Sequence, residues 1–269
     1  MADVEAVQDG AVAARLTPSE PGAPVPGPGT SAPPAATRAP GEMSLVDHLV
    51  ELRNRLVRIV LAVALGSVVG AIFWVQIRDV LLQPLPTGQV QVLGPGDAFM
   101  IFLRISVVTG IILAMPVILW QVWAFVAPGL TDSERRTARP WIPLALLFFA
   151  LGVTIAYFIL PMAVGFLLGF TDDRLVGNLA AGPYFDFVTT MFLAFGIVLE
   201  FPIVLYGLSR VGIVTSARLA SSRRIAVLAI FVFAAGVTPG GDLVSPAVMF
   251  VTMYGLYEAT IFFIRRSGK

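Results

Sequence analysis

The stretch SLVDHLVELRNRLVR, residues 44–58, directly precedes the first long apolar run of the chain. Ser44 followed three residues later by Asp47 is a capping-box pattern and predicts that a helix begins there. Four leucines recur at spacings of four, three and four residues, which places them on one face of that helix. These leucines are Leu45, Leu49, Leu52 and Leu56. The stretch therefore predicts an amphipathic helix that lies on a membrane surface.

The opposite face of this helix carries Glu51 among arginines. The other residues on that face are Asp47, His48, Arg55 and Arg58. Glu51 and Arg55 stand four residues apart, and pairs of this kind stabilise a helix by only about 0.2–0.5 kcal/mol. On this helix alone two interpretations stay open, a plain surface ion pair and a functional carboxylate.

The composition is that of a membrane protein. Of the 269 residues, 57% are hydrophobic and 13% are charged, with a mean hydropathy of +0.85, whereas soluble domains carry about 25% charged residues. The chain has no cysteine and a single histidine, His48, which excludes disulfides, thiol catalysis and a histidine cluster for a metal. A Ser–Lys hydrolase is poorly supported because the only lysine is Lys269. We expect neither an enzyme nor a bound cofactor or metal.

Residues 1–42 have a different composition, with eight prolines and much alanine and glycine. This composition predicts a disordered cytoplasmic tail. The tail lacks the basic region and following apolar region of a signal peptide, and Met43, just after it, is a candidate for the true initiator. We expect a membrane domain over residues 43–266 and a short cytoplasmic end over residues 267–269.

Six apolar segments follow, and a membrane span needs about 20 residues to cross a hydrocarbon core of about 30 Å. The segments cover residues 56–76, 98–121, 141–169, 184–208, 224–237 and 243–264. Only residues 225–237 of the fifth are apolar without interruption, about 20 Å of helix, which implies local thinning of the bilayer. The predicted fold class is an all-α membrane protein with six transmembrane helices, of which the fifth and sixth are short.

Basic residues indicate the orientation of the spans. If the N-terminus is cytoplasmic, 3 of the 18 Lys and Arg residues fall on the outer side, namely Arg78, Arg104 and Arg174. All the others fall on the cytoplasmic side, so we expect both termini to be cytoplasmic. No internal repeat is visible in the sequence, which argues mildly against a secondary transporter.

The second apolar segment runs into the motif MPVILWQVWAFVAPGL, residues 115–130. Pro116 removes a backbone hydrogen bond and should kink the helix. Trp120 and Trp123 lie where the chain leaves the hydrocarbon, and an ordinary belt of interfacial aromatic residues would account for both. A second capping-box pattern ends at Glu134, which could serve only to start a helix.

Six motifs stand in order along residues 43–266. They are HLVELRNRL (48–56), Pro84-Leu85, MPVILWQVWAFVAPGL (115–130), Glu134-Arg135-Arg136, FGIVLEFP (195–202) and Thr238-Pro239. Together they resemble the TatC family, the multispanning receptor subunit of the twin-arginine protein translocase. The resemblance implies a concave bundle of six helices in the cell membrane.

The resemblance also implies a receptor that binds the Arg-Arg signal peptide of folded cargo on its cytoplasmic face. Two glutamates of the family bind that motif and match Glu51 and Glu134, while Arg53 and Phe125 match positions that line the same region. Guanidinium groups pair bidentately with carboxylates in a geometry that the compact ammonium of lysine cannot reproduce. Pro84 also matches a family position, and its role is expected to be structural or uncertain.

Glu200 lies deep in the fourth apolar segment, where an ionised carboxylate is costly and should be protonated or hydrogen-bonded. Pro202 leaves the carbonyl of Val198 without its helical donor, so this carbonyl is a candidate acceptor for Glu200. One interpretation is that Glu200 only stabilises a kink of the helix at Pro202. By the resemblance, Glu200 is instead a polar spot on the concave face that contacts the signal peptide or a partner's transmembrane helix, together with Thr238.

Two further acidic residues are expected to be structural or uncertain. Glu258 lies about two turns before Arg265 and Arg266, so it could pair near the cytoplasmic surface. Asp242 matches an acidic position of the family on the outer side.

The resemblance further implies export driven by the proton-motive force, with single-span partners of the TatA and TatB type and further copies of the chain. These partners could pack along the short fifth span, and no nucleic acid is expected to bind. The alternative is a proton- or ion-coupled secondary transporter that uses Glu200 and Glu258 as relay groups.

Overall fold

The computed structural model describes residues 45–85, 88–131, 135–136, 140–170, 179–210, 212–238 and 241–266. The helices in these ranges are α1 (Leu45–Ile72), α2 (Trp74–Leu82), α3 (Asp97–Val126), α4 (Trp141–Leu168), α5 (Ala181–Val198), α6 (Phe201–Arg210), α7 (Ser216–Ser221), α8 (Arg223–Val237) and α9 (Val244–Arg266). A 3₁₀ turn over Ala127–Gly129 follows α3. The expected tail over residues 1–42 and the end over residues 267–269 lie outside these ranges. The all-α fold class is confirmed for the described residues.

Five stretches of helix in the described ranges are long and apolar enough to cross a membrane. They are Val46–Ile72, Asp97–Gly129, Trp141–Leu168, Ala181–Ser209 and Val244–Arg266. The fifth apolar segment forms α8, whose 15 residues give a helix of about 22 Å, so this helix is short as the sequence predicts. In contrast, α9 has 23 residues, enough to cross the hydrocarbon core, so the prediction that the sixth span is short is wrong.

Small residues bring α1 close to α3. A Cβ atom added to Gly66 would lie 2.6 Å from the carbonyl oxygen of Gly110, and one added to Gly110 would lie 2.5 Å from the backbone nitrogen of Ser67. Small side chains let membrane helices approach closely and so gain van der Waals contact. The helix with the residue 44–58 pattern therefore packs along the helix that contains most of the residue 115–130 motif.

The buried core of the bundle centres on α5. Its fully buried side chains include Phe185, Val188, Met191 and Phe195. Gly152 of α4 contacts this helix closely, because an added Cβ atom would lie 2.3 Å from the carbonyl oxygen of Phe195. Of the 18 most apolar consecutive residues in the α5–α6 stretch, half are buried, against 6% of the corresponding residues in α1. Most of α1 is therefore left to face lipid or a partner.

The fourth apolar segment is interrupted between α5 and α6. The N–H of Glu200 donates to the carbonyl of Ile197 at 3.1 Å, a tighter turn than that of an α-helix. Pro202 follows and has no N–H to donate. The interruption agrees with the predicted kink and places Glu200 at the break.

Hydrogen bonds join two loops at the end of the bundle where α3 and α5 begin. The N–H of Gln91 donates to the carbonyl of Leu179 at 2.8 Å, and the carbonyl of Gln91 accepts from the N–H of Ala181 at 2.7 Å. The hydroxyl of Tyr184 donates to the carbonyl of Leu81 at 2.5 Å. These bonds hold the end of α2 and the start of α5 together.

Candidate functional site

Glu51 and Arg55 form an ion pair near the start of α1. Arg55 Nε donates to Glu51 Oε1 at 3.0 Å, and Arg55 Nη2 donates to the same oxygen. The side chains of Arg55 and Glu51 are 18% and 20% exposed, so solvent screens the pair less than it screens a fully exposed one. The spacing of four residues correctly predicts the pair, which is half-buried.

Gln121 of α3 completes this cluster, and no pattern in the sequence singled it out. Its side chain is 9% exposed, and its Oε1 accepts from Arg55 Nη1 at 3.2 Å. Arg55 therefore bridges α1 and α3. Gln121 stands four residues before Phe125 and so shares a face of α3 with it, which is the one signal that could have identified it.

Phe125 also contacts the cluster, through His48. The two rings stack with centroids 4.3 Å apart and planes inclined by 18°. His48 Nδ1 lies 3.8 Å from Glu51 Oε2, which is beyond hydrogen-bond distance. Oε2 is buried and has no hydrogen-bond partner among the described residues. A buried acceptor in this condition is unfavourable, so Glu51 can accept a further donor.

Two expected site residues are not brought to this cluster by the described contacts. Arg53 is exposed on α1, and at two residues from Glu51 it lies about 200° around the helix from it. Glu134 falls outside the described residues. After it, the guanidinium carbon of Arg135 lies 6.0 Å from the ring centroid of Trp123, which places Arg135 against the last turns of α3.

A hollow of about 290 Å³ lies along α1 beside the ion pair. Its lining residues are Asp47, Val50, Glu51, Asn54, Arg55 and Arg58. Both carboxylates and guanidinium groups therefore line this hollow.

Glu200 is half-buried at the break between α5 and α6. Its Oε1 is buried without a hydrogen-bond partner among the described residues, so this oxygen does not make the expected contact with the carbonyl of Val198. The backbone turns at this point, and the carbonyl of Glu200 accepts from Ile203 and Val204 at 3.0 and 3.2 Å. The side-chain oxygen is thus available to a partner.

Thr238 and Pro84 both lie where the backbone turns. Thr238 ends α8, and its hydroxyl donates to the carbonyl of Ala234 at 2.7 Å. No hydrogen bond in the described part of the chain joins Thr238 to Glu200. Pro84 is half-buried in the turn that follows α2. Both positions therefore have a local structural explanation.

Asp242 is only 2% exposed and lies just before α9. Its Oδ1 accepts from the N–H of Ser245 at 2.6 Å, so the carboxylate caps the N-terminus of α9 and interacts favourably with the helix dipole. Its Oδ2 is buried without a hydrogen-bond partner among the described residues. The capping contact is consistent with the expected structural role.

Glu258 links α9 to α8. Arg223 Nη2 donates to Glu258 Oε2 at 2.7 Å, and the hydroxyl of Tyr254 donates to Glu258 Oε1 at 3.2 Å. The partner is thus Arg223 rather than Arg265 or Arg266, because the start of α8 lies beside Glu258. With both oxygens hydrogen-bonded, Glu258 has a structural explanation.

The chain is similar to known proteins over most of its length. The family model described as Sec-independent protein translocase protein (TatC) matches residues 47–251. The TatC protein of Carboxydothermus hydrogenoformans is 36% identical over 223 residues, which cover 82% of this chain and 92% of that protein. The TatC protein of Aquifex aeolicus is 37% identical over 227 residues, which cover 82% and 94%.

A solved structure agrees with these relatives. A crystal structure described as the twin arginine translocase receptor TatC matches with a TM-score of 0.71 at 35% identity, covering 82% of this chain and 100% of that one. The sequence match and the helical architecture thus agree, and the described helices are those of a multi-pass membrane protein. The chain belongs to the TatC family and is a subunit of the Sec-independent, twin-arginine protein translocase rather than an enzyme.

Proposed function

We propose that this chain is the receptor for twin-arginine signal peptides and that Glu51 binds one of the two arginines on the cytoplasmic face. The proposal rests on the hydrogen bonds of the Glu51 carboxylate, of which one oxygen is paired and the other is not within the described part of the chain. The carboxylate already holds the guanidinium of Arg55 through Oε1, and its buried Oε2 has no hydrogen-bond partner among the described residues. A second guanidinium would donate to Oε2 after a small shift of the side chains that cover it.

The surroundings of Glu51 favour arginine over lysine. The planar guanidinium offers five donors in a fixed geometry and stacks on aromatic rings, whereas the ammonium of lysine is a compact, strongly hydrated charge. Gln121 shows that an amide can bind a guanidinium here, and the stacked rings of His48 and Phe125 lie next to the carboxylate. An incoming arginine therefore meets both polar and aromatic partners.

We assign the second arginine to Glu134, with Arg53 as a further contact on the exposed side of α1. A single exposed ion pair contributes only about 0–1 kcal/mol, so recognition requires several contacts at a partly desolvated site. Two carboxylates for two guanidinium groups meet this requirement.

We further propose that the protein has six spans, with α8 as the fifth. It lies in the plasma membrane, and both termini are in the cytoplasm. The distribution of basic residues supports this orientation. A helix of 15 residues is shorter than the hydrocarbon core, so α8 would thin the bilayer around it. Such thinning would assist the export of folded cargo, which the proton-motive force would drive.

Single-span partners of the TatA and TatB type are proposed to pack along α8, and further copies of the chain to join them. The apolar side chains Leu228, Phe231 and Val232 of α8 are 63%, 59% and 61% exposed, as expected of a helix with an uncovered face. Glu200 and Thr238 would supply polar contacts to a partner helix. A transporter that uses Glu258 as a relay group is not favoured, since Arg223 and Tyr254 already bind that residue.

Equilibrium binding of signal peptides to the purified full-length protein tests this proposal. We expect an Arg-Arg peptide to bind and the matched Lys-Lys peptide to bind at least about tenfold more weakly, since bidentate pairs are lost. Glu51→Ala and Glu134→Ala should each weaken binding of the Arg-Arg peptide, while the variants still insert and fold. Equal affinity for the two peptides, or wild-type affinity in the double variant, would refute the proposal.

A further inference from the structure

A groove of about 610 Å³ between α3 and α5 contains an ion pair that the proposed function does not use. Arg104 Nη1 of α3 contacts Asp186 Oδ1 of α5. The two side chains are 41% and 59% exposed, so the pair is accessible from the surroundings. The other lining residues are Asp97, Met100, Ile101, Leu103, Val107, Val108, Gly182 and Pro183.

The length of α3 leads us to expect the ion pair near the depth of lipid headgroups. The stretch Asp97–Gly129 has 33 residues, about 50 Å of helix, and therefore extends about 10 Å beyond each side of a centred hydrocarbon core of about 30 Å. Arg104 stands seven residues after Asp97, about 10 Å along the helix. With the helix centred in this way, the guanidinium would meet the boundary between the hydrocarbon and the phosphate groups.

Asp97 adds a second carboxylate to the same groove. Its Oδ2 accepts from the N–H groups of Leu93 and Gly94 at 3.1 and 2.8 Å, and its Oδ1 takes part in neither bond. The groove thus offers one guanidinium and two carboxylates. This pattern is complementary to a zwitterion in which a phosphate carries a primary ammonium group, because the ammonium has three donors for carboxylate oxygens.

Exposed apolar side chains flank Arg104 along α3, and Val107 among them lies nearly one turn further toward the middle of the helix. Met100, Leu103 and Val107 are 63%, 39% and 44% exposed, and they recur at spacings of three and four residues along α3. An acyl chain could pack against Val107 and Val108 in the groove while the headgroup binds at Arg104.

We propose that this groove binds a phospholipid with a primary-amine headgroup, of the phosphatidylethanolamine class. Arg104 binds the phosphate, Asp97 and Asp186 bind the ammonium, and the apolar face of α3 contacts an acyl chain. The site is independent of signal-peptide recognition.

Native mass spectrometry of the full-length protein in detergent tests this proposal. The protein is titrated with phosphatidylethanolamine and with phosphatidylcholine of the same acyl chains, whose quaternary ammonium has no N–H donor. We expect the first lipid to bind at least about fivefold more tightly, since charge-assisted hydrogen bonds to the carboxylates are lost with the second. Equal binding of the two lipids would overturn the proposal.

Variants of the groove residues test whether the preference for phosphatidylethanolamine arises in this groove. The double variant Asp97→Asn, Asp186→Asn keeps hydrogen-bond acceptors but removes both negative charges, and we expect its preference to fall to within about twofold, in line with the loss of charge assistance. The matched control is Arg78→Gln, Asp79→Asn, which removes another part-exposed ion pair on α2, outside the groove. A preference that survives in the Asn double variant, or that the control also abolishes, would overturn the site.

Arg104→Gln separates the two halves of the headgroup. It should weaken the binding of both lipids, because both carry the phosphate that Arg104 contacts. Melting curves report whether each variant is folded. If Arg104→Gln does not fold, the Asn double variant with its intact Arg104 decides the outcome alone.

Discussion

Gln121 controls how the Glu51 carboxylate is held, because its amide oxygen accepts from the arginine that pairs with Glu51. We predict that Gln121→Leu destabilises the protein by about 0.5–1.5 kcal/mol, since a half-buried guanidinium N–H loses its acceptor. Thermal unfolding in detergent measures this change. Gln76→Leu, at an exposed position of α2, is the control and should melt like the wild type. A wild-type melting curve for Gln121→Leu would contradict the role of the amide.

Glu200 is the second residue with a testable role, since its Oε1 is buried without a hydrogen-bond partner among the described residues. Glu200→Gln keeps the size of the side chain but removes its acidic group. We predict that this variant binds the Arg-Arg peptide within about twofold of the wild type, because Glu200 lies between α5 and α6 whereas the Glu51 cluster lies on α1 and α3. The variant should nevertheless export less cargo. An export assay with a twin-arginine cargo measures the effect, and full activity would count against the role.

Single residues also show how far sequence patterns reach. The Glu51–Arg55 pair was predictable because both residues lie on one helix, four positions apart. The bonds of Arg55 to Gln121 and of Arg223 to Glu258 join residues 66 and 35 positions apart. A periodic pattern identifies the face of one helix but not the neighbour that packs on it. The spacing of Gln121 from Phe125 could thus place Gln121 on the site face of α3, but it could not show that Arg55 is its partner.

At the scale of the helices, the close contact of α1 with α3 requires glycine at positions where a larger side chain would clash. A Cβ atom added to Gly110 would lie 2.2 Å from Ser67 Oγ and 2.5 Å from Ser67 N. We predict that Gly110→Ala destabilises the protein by about 1–3 kcal/mol through overpacking. Gly165→Ala on α4 is the matched control, since nothing lies within 4 Å of an added Cβ atom there. Equal melting temperatures of the two variants would contradict close packing.

Apolar length predicted the long helices and also the short α8, and Pro202 predicted the interruption of the fourth segment. In contrast, α2 was not predicted, because the apolar run of α1 continues into it. The two helices separate at Phe73, where neither proline nor glycine marks a boundary.

For the molecule as a whole, the proposal of six spans requires that α8 crosses the membrane. The chain has no cysteine, so single cysteines can be introduced on either side of α8, at Ser221 and at Leu243. We predict that a membrane-impermeant maleimide labels Leu243→Cys in intact cells and Ser221→Cys only after permeabilisation, as the basic residues indicate. Labelling of both positions from the same side would show that α8 does not cross.

Recognition of signal-peptide arginine by Glu51 is tested most directly by a double-mutant cycle. Wild-type protein and Glu51→Gln are each titrated with the Arg-Arg and the Lys-Lys peptide. We predict a coupling free energy of about 0.5–3 kcal/mol, seen as a smaller preference for Arg-Arg in Glu51→Gln than in the wild type. The same preference in both proteins would show that Glu51 does not contact the arginines.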